Sequence, residues 1–181
     1  CFGEVQSSVS PNGFLQPTKI GENTLREFII SEIKKKNRIL DLFSGCGTFA
    51  LPIAQLGYNV YAIDGNADHI KILEQTARKG GFGERVIGEA RDLSQRPLQA
   101  TETKVFDVII LDPPRAGARR QIELLAHCDT KVIIYVSCNS SSFARDARLL
   151  ESGGYKITRI LPIDQFLWSP HLELVAVFKK N

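Results

Sequence analysis

The feature that most constrains this sequence is the regular alternation of short apolar runs with helical patterns. Strands are predicted over 39–43, 58–63, 85–89, 105–111, 131–136, 155–161 and 172–178. Between them, helix-period patterns fall over 48–56, 67–79, 118–126 and 143–150. An earlier helix puts Leu25, Phe28, Ile29 and Ile33 on one face and ends at Lys34, Lys35 and Lys36. Cations at a helix C-terminus complement its dipole, which is a simpler use for that run than contact with RNA. Residues 2–9 read as a short strand, followed by a turn at Pro11, Asn12 and Gly13. Repeated strand–helix alternation demands a mostly parallel sheet with helices on both faces. The last two strands have no helix between them and are expected to pair antiparallel. The expected fold is therefore α/β: a doubly wound, seven-stranded, Rossmann-like sheet closed by a C-terminal antiparallel hairpin. Residues 1–18 read as a remnant of a preceding segment that leads into the domain, and 19–181 as the domain itself.

Composition narrows the class further. The 43% hydrophobic and 24% charged residues exclude a disordered or low-complexity chain. A net charge of +3 permits nucleic-acid binding without announcing it. Cys1, Cys46, Cys128 and Cys138 form no C-x-x-C pair, so neither a metal site nor a disulfide framework is expected. No apolar run reaches the roughly 20 residues that span a bilayer, and no signal peptide opens the chain. The expectation is a reduced, cytoplasmic, monomeric protein that does not engage a membrane. A chain that opens at Cys1 and contains no methionine also reads as a fragment or processed product.

In doubly wound sheets, ligands sit beyond the carboxyl ends of the strands, so chemistry is sought there. The first end reads Asp41-Leu42-Phe43-Ser44-Gly45-Cys46-Gly47-Thr48. Its two glycines allow a tight turn and close backbone approach before a helix N-terminus. The third glycine of the dinucleotide fingerprint is absent, which disfavours a nicotinamide oxidoreductase. Asp64 ends the second strand, where a carboxylate can accept both ribose hydroxyls of an adenosine cofactor or merely cap the next helix. Asp92, after the third strand, is placed to meet an adenine edge or to sit in a solvated loop. The fourth end is Asp112-Pro113-Pro114-Arg115-Ala116-Gly117, a carboxylate and a guanidinium on backbone stiffened by two prolines. The fifth is Ser137-Cys138-Asn139, where a cysteine facing a helix N-terminus is expected to favour thiolate. Finally, alternation puts His171 and Glu173 on one strand face, and a carboxylate in so apolar a strand needs a partner or a task.

Together these motifs resemble the RNA 5-methyluridine methyltransferases, the tRNA and 23S rRNA uracil-5-methyltransferases. The resemblance runs from Phe14-Leu15-Gln16 to Phe178, with D-P-P-R-A-G, S-C-N and H-L-E in order at the strand ends. It implies methyl transfer from S-adenosylmethionine to carbon 5 of a uridine in structured RNA, rRNA in preference to tRNA. It assigns Cys138 as nucleophile and Glu173 as the base that removes the carbon-5 proton. Cofactor contacts carry over to Gln16, Phe43, Gly45, Thr48, Asp64, Asp92 and Asp112. Arg115 and Trp168 are candidates for holding RNA phosphate or base. Departures are Ser140 where proline commonly follows S-C-N, Thr18 at the last position of F-x-Q-x-N, and Thr48 in place of asparagine. Many ribosomal members bind an iron–sulfur cluster through upstream cysteines, and none is expected here. The alternatives are a methyltransferase acting on an exocyclic amino group and a non-catalytic RNA-binding fragment.

Overall fold

The computed structural model describes residues 18–33, 38–164 and 172–180. The predicted strand at 2–9, Gln16, the Lys34–Lys36 run, Trp168 and His171 lie outside the described residues. In chain order the elements are α1 (Lys19–Glu32), β1 (Arg38–Leu42), α2 (Ala50–Gln55), β2 (Asn59–Asp64), α3 (Ala67–Lys79), β3 (Val86–Ala90), α4 (Ala100–Thr103), β4 (Val108–Leu111), α5 (Arg119–Leu125), β5 (Val132–Ser137), α6 (Ser140–Ser152), β6 (Lys156–Ile163) and β7 (Glu173–Lys179). They form one seven-stranded sheet in the order β3-β2-β1-β4-β5-β7-β6. β7 runs antiparallel to both β5 and β6, and the remaining pairs are parallel. The expected doubly wound sheet and terminal hairpin are both present.

Strand alternation explains the two cores. Ile39, Val108, Ile110, Ile134, Val136, Val175 and Val177 face α1, α2 and α3. Their neighbours Leu40, Leu42, Ile109, Leu111, Ile133, Tyr135, Ala176 and Phe178 face α5 and α6. Burial on both sides makes the central strands read as unbroken apolar runs, which is how parallel sheets appear in sequence. The edge strand β6 is mostly exposed, and Lys156, Arg159 and Pro162 along it discourage pairing with another chain.

Several boundaries differ from expectation for local reasons. α6 starts three residues early because the Asn139 side chain accepts hydrogen bonds from the Ser141 and Ser142 amides. β4 starts at Val108, since the Phe106 amide bonds back to the Thr103 carbonyl and Val105 is exposed. The short α4, with its Gln99–Glu102 capping box, was not anticipated, nor was the 3-10 turn at Gly83–Arg85. Phe43 leaves the first strand at φ +62°. Among the described residues, no helix is long and apolar enough to cross a membrane.

Candidate active site

The carboxyl ends of β1, β2, β4 and β5 and the first residue of β7 surround a cavity of about 410 Å³. That volume suits a small-molecule ligand, for which sites of roughly 300–1,000 Å³ are usual. Its wall contains Phe43, Gly45, Thr48, Asp64, Asp112, Cys138 and Glu173. Ser44, His69, Pro113, Pro114 and Arg115 complete it.

The β1–α2 turn is shaped for close approach. Phe43 is the one non-glycine among the described residues with positive φ, a conformation usually retained at functional sites. Gly45 has φ +54°, and a β-carbon built on it would meet nothing within 4 Å, so its face is open. Gly47 is different: at φ +100°, an added β-carbon would lie 2.7 Å from the Leu51 side chain.

Asp64 is tied to this turn. Its Oδ2 accepts from the Gly45 amide at 2.9 Å. Its Oδ1 accepts from the Asn66 amide at 2.9 Å and lies 3.1 Å from His69 Nδ1. Asp64 is therefore not the helix cap; Asn66 caps α3 by accepting from the Asp68 amide. Asp92, by contrast, is exposed and is not part of the cavity wall. Its carboxylate turns back onto the Ser94 amide and hydroxyl, at 2.8 and 2.6 Å. That is an Asx turn, a common local use of an aspartate in a loop.

A brace on the opposite side holds the Pro113–Ala118 loop. Asp146 of α6 is fully buried and accepts from Tyr135 Oη at 2.7 Å and from the Ala118 amide at 2.9 Å. Arg145 donates to the Ala116 carbonyl, and Asn139 to the Arg115 carbonyl. The Arg115 side chain is exposed at the cavity rim while its backbone is clamped.

The electrostatics correct one expectation. Burial, followed by the charges of Glu173 and Asp112, pushes the Cys138 thiol up, with Arg115 opposing. The amides that open α6 do not favour thiolate here, because Asn139 occupies them. Asp112 is raised well above the carboxylate range by burial and by Glu173 and Asp41. Asp41, fully buried in β1, is pushed up to about 8 by burial and the Asp64 charge, with the Ala50 amide offsetting part of the shift.

Asp41 carries a stability prediction. A folded pKa above the unfolded one stabilises fully below the unfolded value, and that contribution is lost as pH rises toward about 8. In urea titrations, stability should fall between about pH 5 and 8 by up to about 1.4 kcal/mol per pH unit from this group. Asp41→Asn should remove that slope. An unchanged slope in the variant would show that Asp41 is ionised in the folded protein.

Polar groups without partners mark where a ligand would fit. In the cavity wall, Ser44 Oγ and His69 Nε2 are buried without a hydrogen-bond partner, while Arg26 Nη1 is buried and unpartnered away from the cavity wall. The two wall atoms gather around the Gly45 turn and Asp64, where unsatisfied buried groups call for an explanation. An open glycine, a carboxylate and these unpartnered atoms match a polar, nucleoside-bearing cofactor. Ser44 and His69 were not singled out in the sequence. The available signal for His69 was its place in the first turn of α3, five residues beyond Asp64.

The tRNA (uracil-5-)-methyltransferase family matches over residues 85–181, which include Asp112, Cys138 and Glu173. The RNA cap guanine-N2 methyltransferase family matches over residues 36–123. An RNA methyltransferase of Agrobacterium fabrum is 45% identical, over 99% of this chain and 43% of that protein. The 23S rRNA (uracil(1939)-C(5))-methyltransferase of Alteromonas mediterranea is 36% identical, over 96% of this chain and 37% of its own length. The Pyrococcus abyssi tRNA (uracil-54, C5)-methyltransferase, solved with S-adenosyl-L-homocysteine, superposes with a TM-score of 0.85 at 32% identity, over 98% of this chain and 43% of that one. This chain thus spans less than half the length of these relatives. The magnesium protoporphyrin IX methyltransferase of Synechocystis, at 16% identity and a TM-score of 0.67, shares the fold alone. With the matched family covering more than half of the chain, and with its motifs at the strand ends that wall the cavity, this chain belongs to the tRNA (uracil-5-)-methyltransferase family.

Proposed function

We propose that residues 19–181 are the catalytic domain of an enzyme that methylates carbon 5 of a uridine in structured RNA through a covalent adduct with Cys138. The observation that carries this reading is that Cys138 and Glu173 wall the same cavity as Gly45 and Asp64. A thiol, a carboxylate and a nucleoside site in one cavity are what uracil methylation requires. S-adenosylmethionine is the cofactor and supplies an electrophilic methyl group. A relative that modifies 23S rRNA, 36% identical over 96% of this chain, supports ribosomal RNA as the substrate.

Carbon 5 of uracil is too weak a nucleophile to take a methyl group unaided. Cys138 sulfur bonds to carbon 6, and the ring's double-bond electrons move onto the carbon-4 oxygen as an enolate. Those electrons return through carbon 5 to form the new carbon–methyl bond, and the sulfur–methyl bond of the donor breaks. Glu173 then takes the carbon-5 proton, the carbon 5–carbon 6 double bond re-forms, and Cys138 leaves. The Cys138 thiol must lose its proton, which burial and the Glu173 and Asp112 charges hold in place. The proton passes to solvent as the sulfur adds, and a cationic cofactor held beside Glu173 would offset the field that retains it. The target base has to be unstacked, because both faces of carbons 5 and 6 are engaged.

The guanine-N2 match favours a second reading, methylation of an exocyclic amine. It ends at residue 123, before Cys138 and Glu173, and so covers only the cofactor half of the site. RNA carrying 5-fluorouridine separates the two readings, because fluorine at carbon 5 cannot be removed as a proton. The full-length protein, incubated with cofactor and fluorinated rRNA, should give an adduct stable on a denaturing gel. Turnover without any adduct would overturn the covalent mechanism.

A further inference from the structure

His69 lies in the wall of the cavity, yet none of the motifs above accounts for it. Its ring is 15% exposed and holds Asp64 through Nδ1, while Nε2 is buried with no partner. The surroundings of Asp64 give this weight. A carboxylate offers about four lone-pair sites. The Gly45 amide, the Asn66 amide and His69 Nδ1 already occupy three of them. Asp64 therefore does not have room for both hydroxyls of a ribose, as the sequence had suggested; one site on Oδ2 is left. A nucleoside brings several O–H and N–H donors, and a second acceptor is needed beside the first. When Nδ1 carries the hydrogen given to the carboxylate, the neutral tautomer presents Nε2 as that acceptor.

We propose that His69 is a cofactor-binding residue whose ring bridges Asp64 and the nucleoside half of the cofactor, Nδ1 fixing the carboxylate and Nε2 accepting an O–H or N–H that Asp64 has no site left to take. The inference rests on the S-adenosylmethionine reading given above. It assigns to this side chain a direct contact, beyond support of its neighbour.

Isosteric variants divide the two ring nitrogens. His69→Asn keeps a short donor near the Nδ1 position and deletes Nε2, whereas His69→Gln carries a polar group out to about the reach of Nε2. Calorimetric titration of the full-length protein with S-adenosylhomocysteine gives the readout, with melting temperatures confirming that each variant is folded. His69→Ala and His69→Asn should both weaken binding about tenfold, and His69→Gln should stay within about threefold of the unmodified protein. Asparagine binding like histidine would overturn the proposal, showing that the ring only positions Asp64. Glutamine as weak as alanine would overturn it as well. Failure of the unmodified protein to bind S-adenosylhomocysteine would overturn the cofactor reading itself, and is distinct from a loss confined to the His69 variants.

Discussion

Cys138→Ala is expected to abolish uracil methylation while leaving the fold and the cofactor site in place. On the proposed mechanism Cys138 raises the electron density at carbon 5 by adding to carbon 6, and among the described residues of the cavity wall it is the one thiol. Losses from removing a catalytic nucleophile are large, and methyl transfer should fall by about 10⁴-fold or more. Cys138 is only half-buried and packs no core, so the alanine variant should melt as the unmodified protein does. Tritium transfer from labelled cofactor into rRNA, measured beside S-adenosylhomocysteine affinity, gives both halves of the result. Residual methylation within tenfold of the unmodified protein, in a folded variant, would exclude Cys138 as the nucleophile.

Glu173→Gln is expected to trap the reaction rather than prevent it. Without its base, the variant should still add the thiolate and receive the methyl group, then stall because the carbon-5 proton stays on and Cys138 cannot leave. The product should be a protein–RNA adduct on ordinary, unfluorinated RNA that already carries the transferred methyl, seen as a retarded band and by mass spectrometry. A second effect follows from the charge on Glu173, which helps to hold the Cys138 proton in place. Removing a negative neighbour lowers a thiol's pKa, so Cys138 should alkylate with iodoacetamide at lower pH in the variant. Glu173 is buried at the start of β7, opposite Ile163 of β6, so stability must be followed alongside. A folded variant with near-normal turnover would move the base to another residue, with Asp112 of the cavity wall and His171 the next candidates.

These roles were legible in the sequence to different degrees, for physical reasons. The α/β alternation could be read because each element repeats a local pattern. Strands buried on both faces make unbroken apolar runs such as Val108–Leu111, and α3 shows its bounds through Asn66 at its start and Lys79 at its end. Cys138 and Glu173 stood out as positions because each sits at a strand end, and such ends converge on one crevice once the fold class is known, while their proposed roles came from the family resemblance. Gly45 and Gly47 could be read because turn geometry restricts which residue types fit.

The sequence by itself determined the sheet, its antiparallel closure and the strand ends that hold chemistry, since these follow from periodicity and from steric limits on a few residues. Only the tertiary structure decided how those ends behave. The Cys138 thiol is pushed up by burial and then by the charges of Glu173 and Asp112, distant in sequence but in the same cavity wall, and Asn139 takes helix amides that would have favoured thiolate. Asp92 is exposed and its Oδ1 accepts from the Ser94 amide and hydroxyl, a turn contact two residues away that sequence alone did not reveal. His69 entered the wall because α3 packs its first turn against Asp64. Charge coupling and desolvation depend on separations and on the exclusion of water, and both exist only once strands far apart in the chain are side by side.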